Sequence, residues 1–169
     1  MTKTRTILRL SLMILLGASF ATGCAGKDTF QNKLKGLWVL ESRTLPGGET
    51  VTPPAISGRL EWFPSDPEAR TAHVSVLMTH GDGGLQVHGS NYDLGDYQQF
   101  TQTSYLEVGG GLATTPGESY EVVNSTRNGT LTVEGSTITL NHDSGPTYIF
   151  KGSQLTIEHP DGTTDVLTK

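Results

Sequence analysis

The chain has 169 residues, of which 17% are charged and 34% hydrophobic, with a formal net charge of −5. That length makes one domain of ordinary size, large enough to bury a core without cross-links. The acidic balance repels phosphate backbones and excludes a general nucleic-acid binder, and a single cysteine excludes an intrachain disulfide.

Residues 1–9 carry Lys3, Arg5 and Arg9 and no acid, Leu10 to Phe20 is an almost unbroken apolar run, and Ala21-Thr22-Gly23 leads to Cys24. A basic head, a short apolar run and a small-residue exit form the plan of a secretory signal peptide. The run is shorter than the roughly 20 apolar residues that a membrane-spanning helix needs. Removing residues 1–23 takes away three of the twelve basic residues and none of the seventeen acids, which leaves a domain of formal charge −8. Such a domain has little attraction for anionic lipid surfaces.

Ala21-Thr22-Gly23-Cys24 resembles the bacterial lipoprotein box. The resemblance implies a signal peptide over 1–23, diacylglycerol on the Cys24 thiol, cleavage before Cys24 and acylation of the new amino group by a chain such as palmitate. Each buried CH₂ contributes about 0.8 kcal/mol, so two or three chains hold a domain on the membrane. Ala25, where an Asp would favour the inner membrane, implies an outer-membrane lipoprotein facing the periplasm.

"AGKDTFQNKLKG" then predicts a short helical turn within a linker over 24–35. Asp28 caps it, Phe30 and Leu34 share a face, and Gly36 ends it. Strands follow over 36–169. "LWVLESRTL" (37–45) is apolar and partly alternating, "GRLEWF" (58–63) puts Leu60 and Trp62 on one side, and "AHVSVLMTH" (72–80) puts Val74, Val76 and Met78 on one face.

Residues 81–117 hold 9 of the 21 glycines, and "DYQQFTQTSYLEV" within them fits neither the helical nor the strand period. It reads as a short helix or a polar strand, and the middle segment as a whole is expected to form a helix or irregular cover over one barrel end. The last third is a run of short strands, "SYEVVN", "TLTVE", "TITLNH", "TYIFK", "LTIEH" and "TDVLTK". Turn chemistry joins them at Asn128-Gly129, Gly135-Ser136, Asp143-Ser144-Gly145, Gly152-Ser153 and Asp161-Gly162. Eight to ten strands, short turns and no long helix predict an all-β fold, a small antiparallel up-and-down barrel, with a sandwich as the alternative. Closure favours the barrel because it removes exposed edges.

Gly36-Leu37-Trp38 matches the G-x-W of lipocalins, and "GRLEWF" and the closing hairpins resemble the lipocalin-like families of bacteria. The resemblance implies that Trp38 crosses the barrel floor beneath the helical turn. Lipocalins pair that Trp with a late Arg, and no Arg follows Arg127 here, so the floor closes differently.

Catalytic constellations are absent from the sequence pattern. There is no G-x-S-x-G elbow and no phosphate-binding loop, and the acids fall on apparent solvent faces and turns. The five histidines, His73, His80, His88, His142 and His159, match no standard metal spacing. His80 and His88 flank a loop across which strand pairing could join them, and His142 and His159 sit at turns as exposed polar residues. Asn124-Ser125-Thr126 and Asn128-Gly129-Thr130 are formal glycosylation sequons read as polar turns. Trp38, Trp62, Phe63, Met78, Tyr148 and Phe150 either line a cavity or fill the core. These readings predict no enzyme, no cofactor and no metal. They predict a membrane-anchored barrel that binds a small apolar molecule or lipid. The alternatives are a filled barrel that meets an envelope protein through residues 81–117, and a barrel isomerase or hydrolase.

Overall fold

A computed structural model describes residues 26–66, 70–80, 84–95, 98–108 and 125–169. Cys24, the segment before it and the expected strand "SYEVVN" lie outside the described residues. One helix, α1 (Gly26–Leu34), precedes eleven strands. These are β1 (Gly36–Thr44), β2 (Thr50–Val51), β3 (Ile56–Asp66), β4 (Thr71–His80), β5 (Leu85–Asp93) and β6 (Gln99–Val108). β7 (Ser125–Glu134), β8 (Thr137–His142), β9 (Thr147–Lys151), β10 (Gln154–Glu158) and β11 (Thr164–Thr168) complete the set.

All pairings are antiparallel, and β11 returns to β1, which closes ten strands into an up-and-down barrel; β2 adds only a short pairing at the end of β1. Ten strands are two more than the lipocalin barrel has, and barrel width grows with strand number. Large side chains fill the wider interior: Trp38, Trp62, Tyr92, Phe100, Tyr148 and Phe150 all belong to the buried core. Burying each such ring contributes about 1.5–3 kcal/mol.

The described parts of 81–117, expected to form a helix or irregular cover, are instead β5 and β6, strands of nine and ten residues in the barrel wall, and the polar-strand alternative for "DYQQFTQTSYLEV" is the one that holds. Their inner faces alternate polar with aromatic residues: His88, Ser90 and Tyr92 on β5, and Phe100, Gln102 and Ser104 on β6. An apolar period cannot appear where the inward residues are themselves polar. Asn128-Gly129, expected as a turn, lies inside β7, with Gly129 opposite Phe100. A Cβ at Gly129 would run into the Phe100 ring and the Asn141 carbonyl, so this glycine makes room for an aromatic ring. The turns at Gly135, Gly152 and Gly162 stand as expected, each with its glycine at positive φ.

α1 closes one pole of the barrel. Asp28 lies within the helix and not before it as a cap. Phe30 and Leu34 enter the core, the Trp38 indole donates to the Leu34 carbonyl at 3.1 Å, and Lys33 reaches the β7–β8 turn at Gly135. Lys169, which follows β11, covers the Trp38 ring from across the β1–β11 closure. Its ammonium lies 4.4 Å from the centre of the Trp38 ring and donates to the Lys33 carbonyl at 3.0 Å. Gly36 has φ +144, and a Cβ there would come within 2.9 Å of the Lys169 chain. The glycine of the G-x-W motif therefore leaves a path for the lysine that covers the tryptophan.

Candidate functional site

Five residues were read from sequence as lining or filling the interior: Trp38, Trp62, Met78, Tyr148 and Phe150. All five point inward and none is more than 5% exposed. Trp38 and Trp62 meet Phe150 edge-on at 5.5 and 5.6 Å, and Trp62 lies 4.9 Å from Tyr92. Edge-to-face packing at these distances is favourable beyond the area it buries. The rings nearest α1 thus pack on one another. Phe63, named with them, is exposed on the outer face of β3.

The aromatic chain continues away from α1 and becomes polar. Tyr92, Phe100 and Tyr148 surround His142. His142 is 5% exposed, not the exposed turn residue expected. Its Nδ1 faces the Pro146 carbonyl, which can only accept, so Nδ1 carries the proton. Nε2 then accepts from the Tyr92 hydroxyl at 3.0 Å. Burial lowers the His142 pKa to about 4, against the hydrogen bond to Pro146 and helped by the charge of Arg127. Burial also pushes Tyr148 up to about 12 and Tyr92 well above its ordinary value. All three groups are neutral at pH 7.

On β5, β6 and β7 the register sets two polar rows across the inner face. One row is Tyr92, Gln102 and Arg127; the other is Ser90, Ser104 and Ser125. Gln102 donates to Ser90 at 3.2 Å, and His88 lies 2.9 Å from Ser104. Gln102 is 2% exposed, yet its Oε1 has no partner, and the buried Oγ of Ser125 has none. Arg127 extends to within reach of Gly145 and His142. Among the described residues no carboxylate forms an ion pair with it. Leaving such groups unmade costs about 1–3 kcal/mol each. Near α1, Gln31 and the Trp62 indole N–H are also unpartnered; isolated buried groups of that kind are where bound water sits.

A second polar cluster joins β1 to β11. Asp165, fully buried, takes a bidentate pair of bonds from Arg43 at 2.6 and 2.7 Å and a third from His159 at 2.9 Å. Burial pushes its carboxyl up, but the bonds and charge of Arg43 and His159 outweigh this and hold it below the usual range. The sequence reading placed all acids on solvent faces and His159 at an exposed turn; this carboxylate inside the barrel corrects both. In the register of the β4–β5 hairpin His88 is opposite Val76 and not opposite His80. No group of three His, Cys, Asp or Glu gathers among the described residues.

Both polar clusters lie toward the pole opposite α1, where the β8–β9 and β10–β11 turns sit. An outer groove of about 630 Å³ along Asp93, Gln99, Thr101, Asn128 and Thr130 is open and brings no cation together with its polar groups. The inward rows of β5–β7 escaped the sequence reading, although polar residues at every second position (His88-Ser90-Tyr92, Gln102-Ser104, Ser125-Arg127) are their signature.

The fold and site define a closed ten-strand barrel, sealed and apolar at one pole and polar inside at the other. No family model and no curated protein matches the chain. Among solved structures it is similar to a redesigned beta barrel, mFAP1, bound to DFHBI, at 15% identity and TM-score 0.39, over 82% of this chain and 97% of that one. The fold assignment rests on the strand order and register above.

Proposed function

We propose that this protein is a lipid-anchored, lipocalin-like barrel of the bacterial cell envelope that holds a small molecule inside its polar pole and performs no chemistry on it. The anchor is Cys24, and the placement is the outer membrane, facing the periplasm. The observation that carries the binding reading is the inner wall of β5–β7. Buried polar groups are normally satisfied, and here Gln102 and Ser125 point unused hydrogen-bonding atoms inward beside an arginine. The apolar pole has a packed core and supplies rigidity, while the ligand's apolar part meets Tyr148, Met78 and their neighbours. Native mass spectrometry of the detergent-purified chain tests this: a reproducible added mass, lost on denaturation, is expected, and a clean apo mass after incubation with an envelope extract contradicts it. Labelling cells with an alkyne fatty acid tests the anchor; Cys24→Ser should lose the label.

A second reading is a protein-docking module. Leu37, Val39 and Phe63 favour it, since all three are about half exposed on the adjacent outer faces of β1 and β3. Crosslinking in intact cells from Val39 should then capture one dominant protein.

A further inference from the structure

The proposed binding function leaves the ligand's chemistry open, and the inner wall of β5–β7 narrows it. We infer that the ligand is a small organic acid whose carboxylate pairs with Arg127 and whose neighbouring hydroxyl donates to the free Oε1 of the Gln102 amide. This rests on the reading that the polar pole binds a small molecule.

Three observations converge. Arg127 sits on the inner face of β7, directly across from Gln102 on β6, so the two side chains leave the wall from one row, and the guanidinium extends toward Gly145. The other cation on the barrel's inner face, Arg43, is already spent on both oxygens of Asp165. Arg127 has no such partner among the described residues, although its charge reaches Tyr92, Tyr148 and His142. The next row adds Ser125, whose Oγ is buried and unpartnered. A guanidinium presents a planar fork that matches a carboxylate in two parallel bonds. The Ser125 hydroxyl beside it can donate to the same carboxylate, while the Gln102 Oε1 can accept only from a donor next to that carboxylate.

The surrounding groups fix the sign of the charge. His142 is neutral, so the pocket does not gather cations enough for a polyanion, and Tyr92 and Tyr148 stay protonated. Asp165 is neutralised by Arg43 and His159. One uncompensated positive charge among neutral donors and acceptors suits a monoanion. The aromatic rings beyond, Tyr148 and Phe100 around His142, offer an apolar surface for the rest of the acid.

The test uses the full chain in detergent and calorimetric titration with 2-hydroxyhexanoate and mandelate, beside their neutral counterparts 2-hydroxyhexanamide and mandelamide. The carboxylates should bind at least about tenfold more tightly than the amides, as expected for a charge-assisted bond replaced by a neutral one. Arg127→Met should remove that preference, and Arg127→Lys should keep part of it. Gln102→Leu should weaken both classes by a smaller factor. Near-UV circular dichroism establishes that each variant is folded, and Arg127→Lys carries the test if Arg127→Met is not. Amides that bind as well as the acids, or acids unaffected by Arg127→Met, would overturn the inference while leaving small-molecule binding intact. Failure of all four probes, with an apo mass by native mass spectrometry, would overturn both. Inorganic phosphate competing as well as mandelate would also overturn it, because the site would then recognise charge alone.

Discussion

The two poles of the barrel are built from different forces. At the α1 pole, Trp38, Trp62, Phe150, Leu34 and Leu167 pack with almost no exposed surface, and the main polar ties are to the helix end and Lys169. At the far pole the interior carries Arg43, Asp165, His142, Gln102, the serine row and Arg127. The first pole is held mainly by volume, with the Lys169 ammonium as its charged tie. The second is held by hydrogen bonds and charge, so it responds to protons and to partners. A barrel with one end of each kind has a rigid base on which a polar site can be positioned.

That contrast can be broken or sharpened by substitution. Trp38→Ala should have the largest effect, a loss of about 3–5 kcal/mol, because it opens a cavity and frees α1; urea unfolding should show it equally at pH 5 and pH 8. Asp165→Asn should cost about 3 kcal/mol, since it leaves the Arg43 charge inside the barrel without its carboxylate. Unlike Trp38→Ala, it should be partly relieved by adding Arg43→Met.

The pH response belongs to the far pole. The folded His142 takes up a proton only at about pH 4, whereas the unfolded chain does so near 6.5. Between those values the unfolded state binds more protons, so stability should fall as pH drops through that window. The slope is about 1.4 kcal/mol per pH unit where the difference is complete. His142→Gln should flatten it. Asp165 acts lower: its depressed pKa gives stability present above the unfolded value of 3.8 and lost as pH falls through the folded value. The smallest effect is expected for Lys169→Met, about 1 kcal/mol from the lost contact with Trp38; Lys169→Arg should restore it, and thermal unfolding distinguishes the two.

The α1 pole was legible in the sequence because its physics is periodic. Leu60 and Trp62, and Leu155 and Leu167 across the sheet, are inward positions of strands that alternate in and out, and burial follows that alternation. Helix α1 was legible from Phe30 and Leu34. The far pole was not, for the converse reason: Ser90, Gln102, Ser104 and Arg127 occupy inward positions that an apolar period cannot mark. His142 and Asp165 were misread because residues next to turns are usually solvated, and only the closed register brings them inside. Gly129 looked like half of a turn until Phe100 was seen packed against it. The lysine that covers Trp38 was hidden because the motif predicts an arginine.

A crystal structure of the chain, purified from its native membrane without delipidation, tests the central claim most directly. The account predicts discrete density between Arg127, the Gln102 amide and Ser125 that is neither protein nor water, extending toward Tyr148. Those three groups bonded to one another or to water alone, with side chains filling the polar pole, would contradict it.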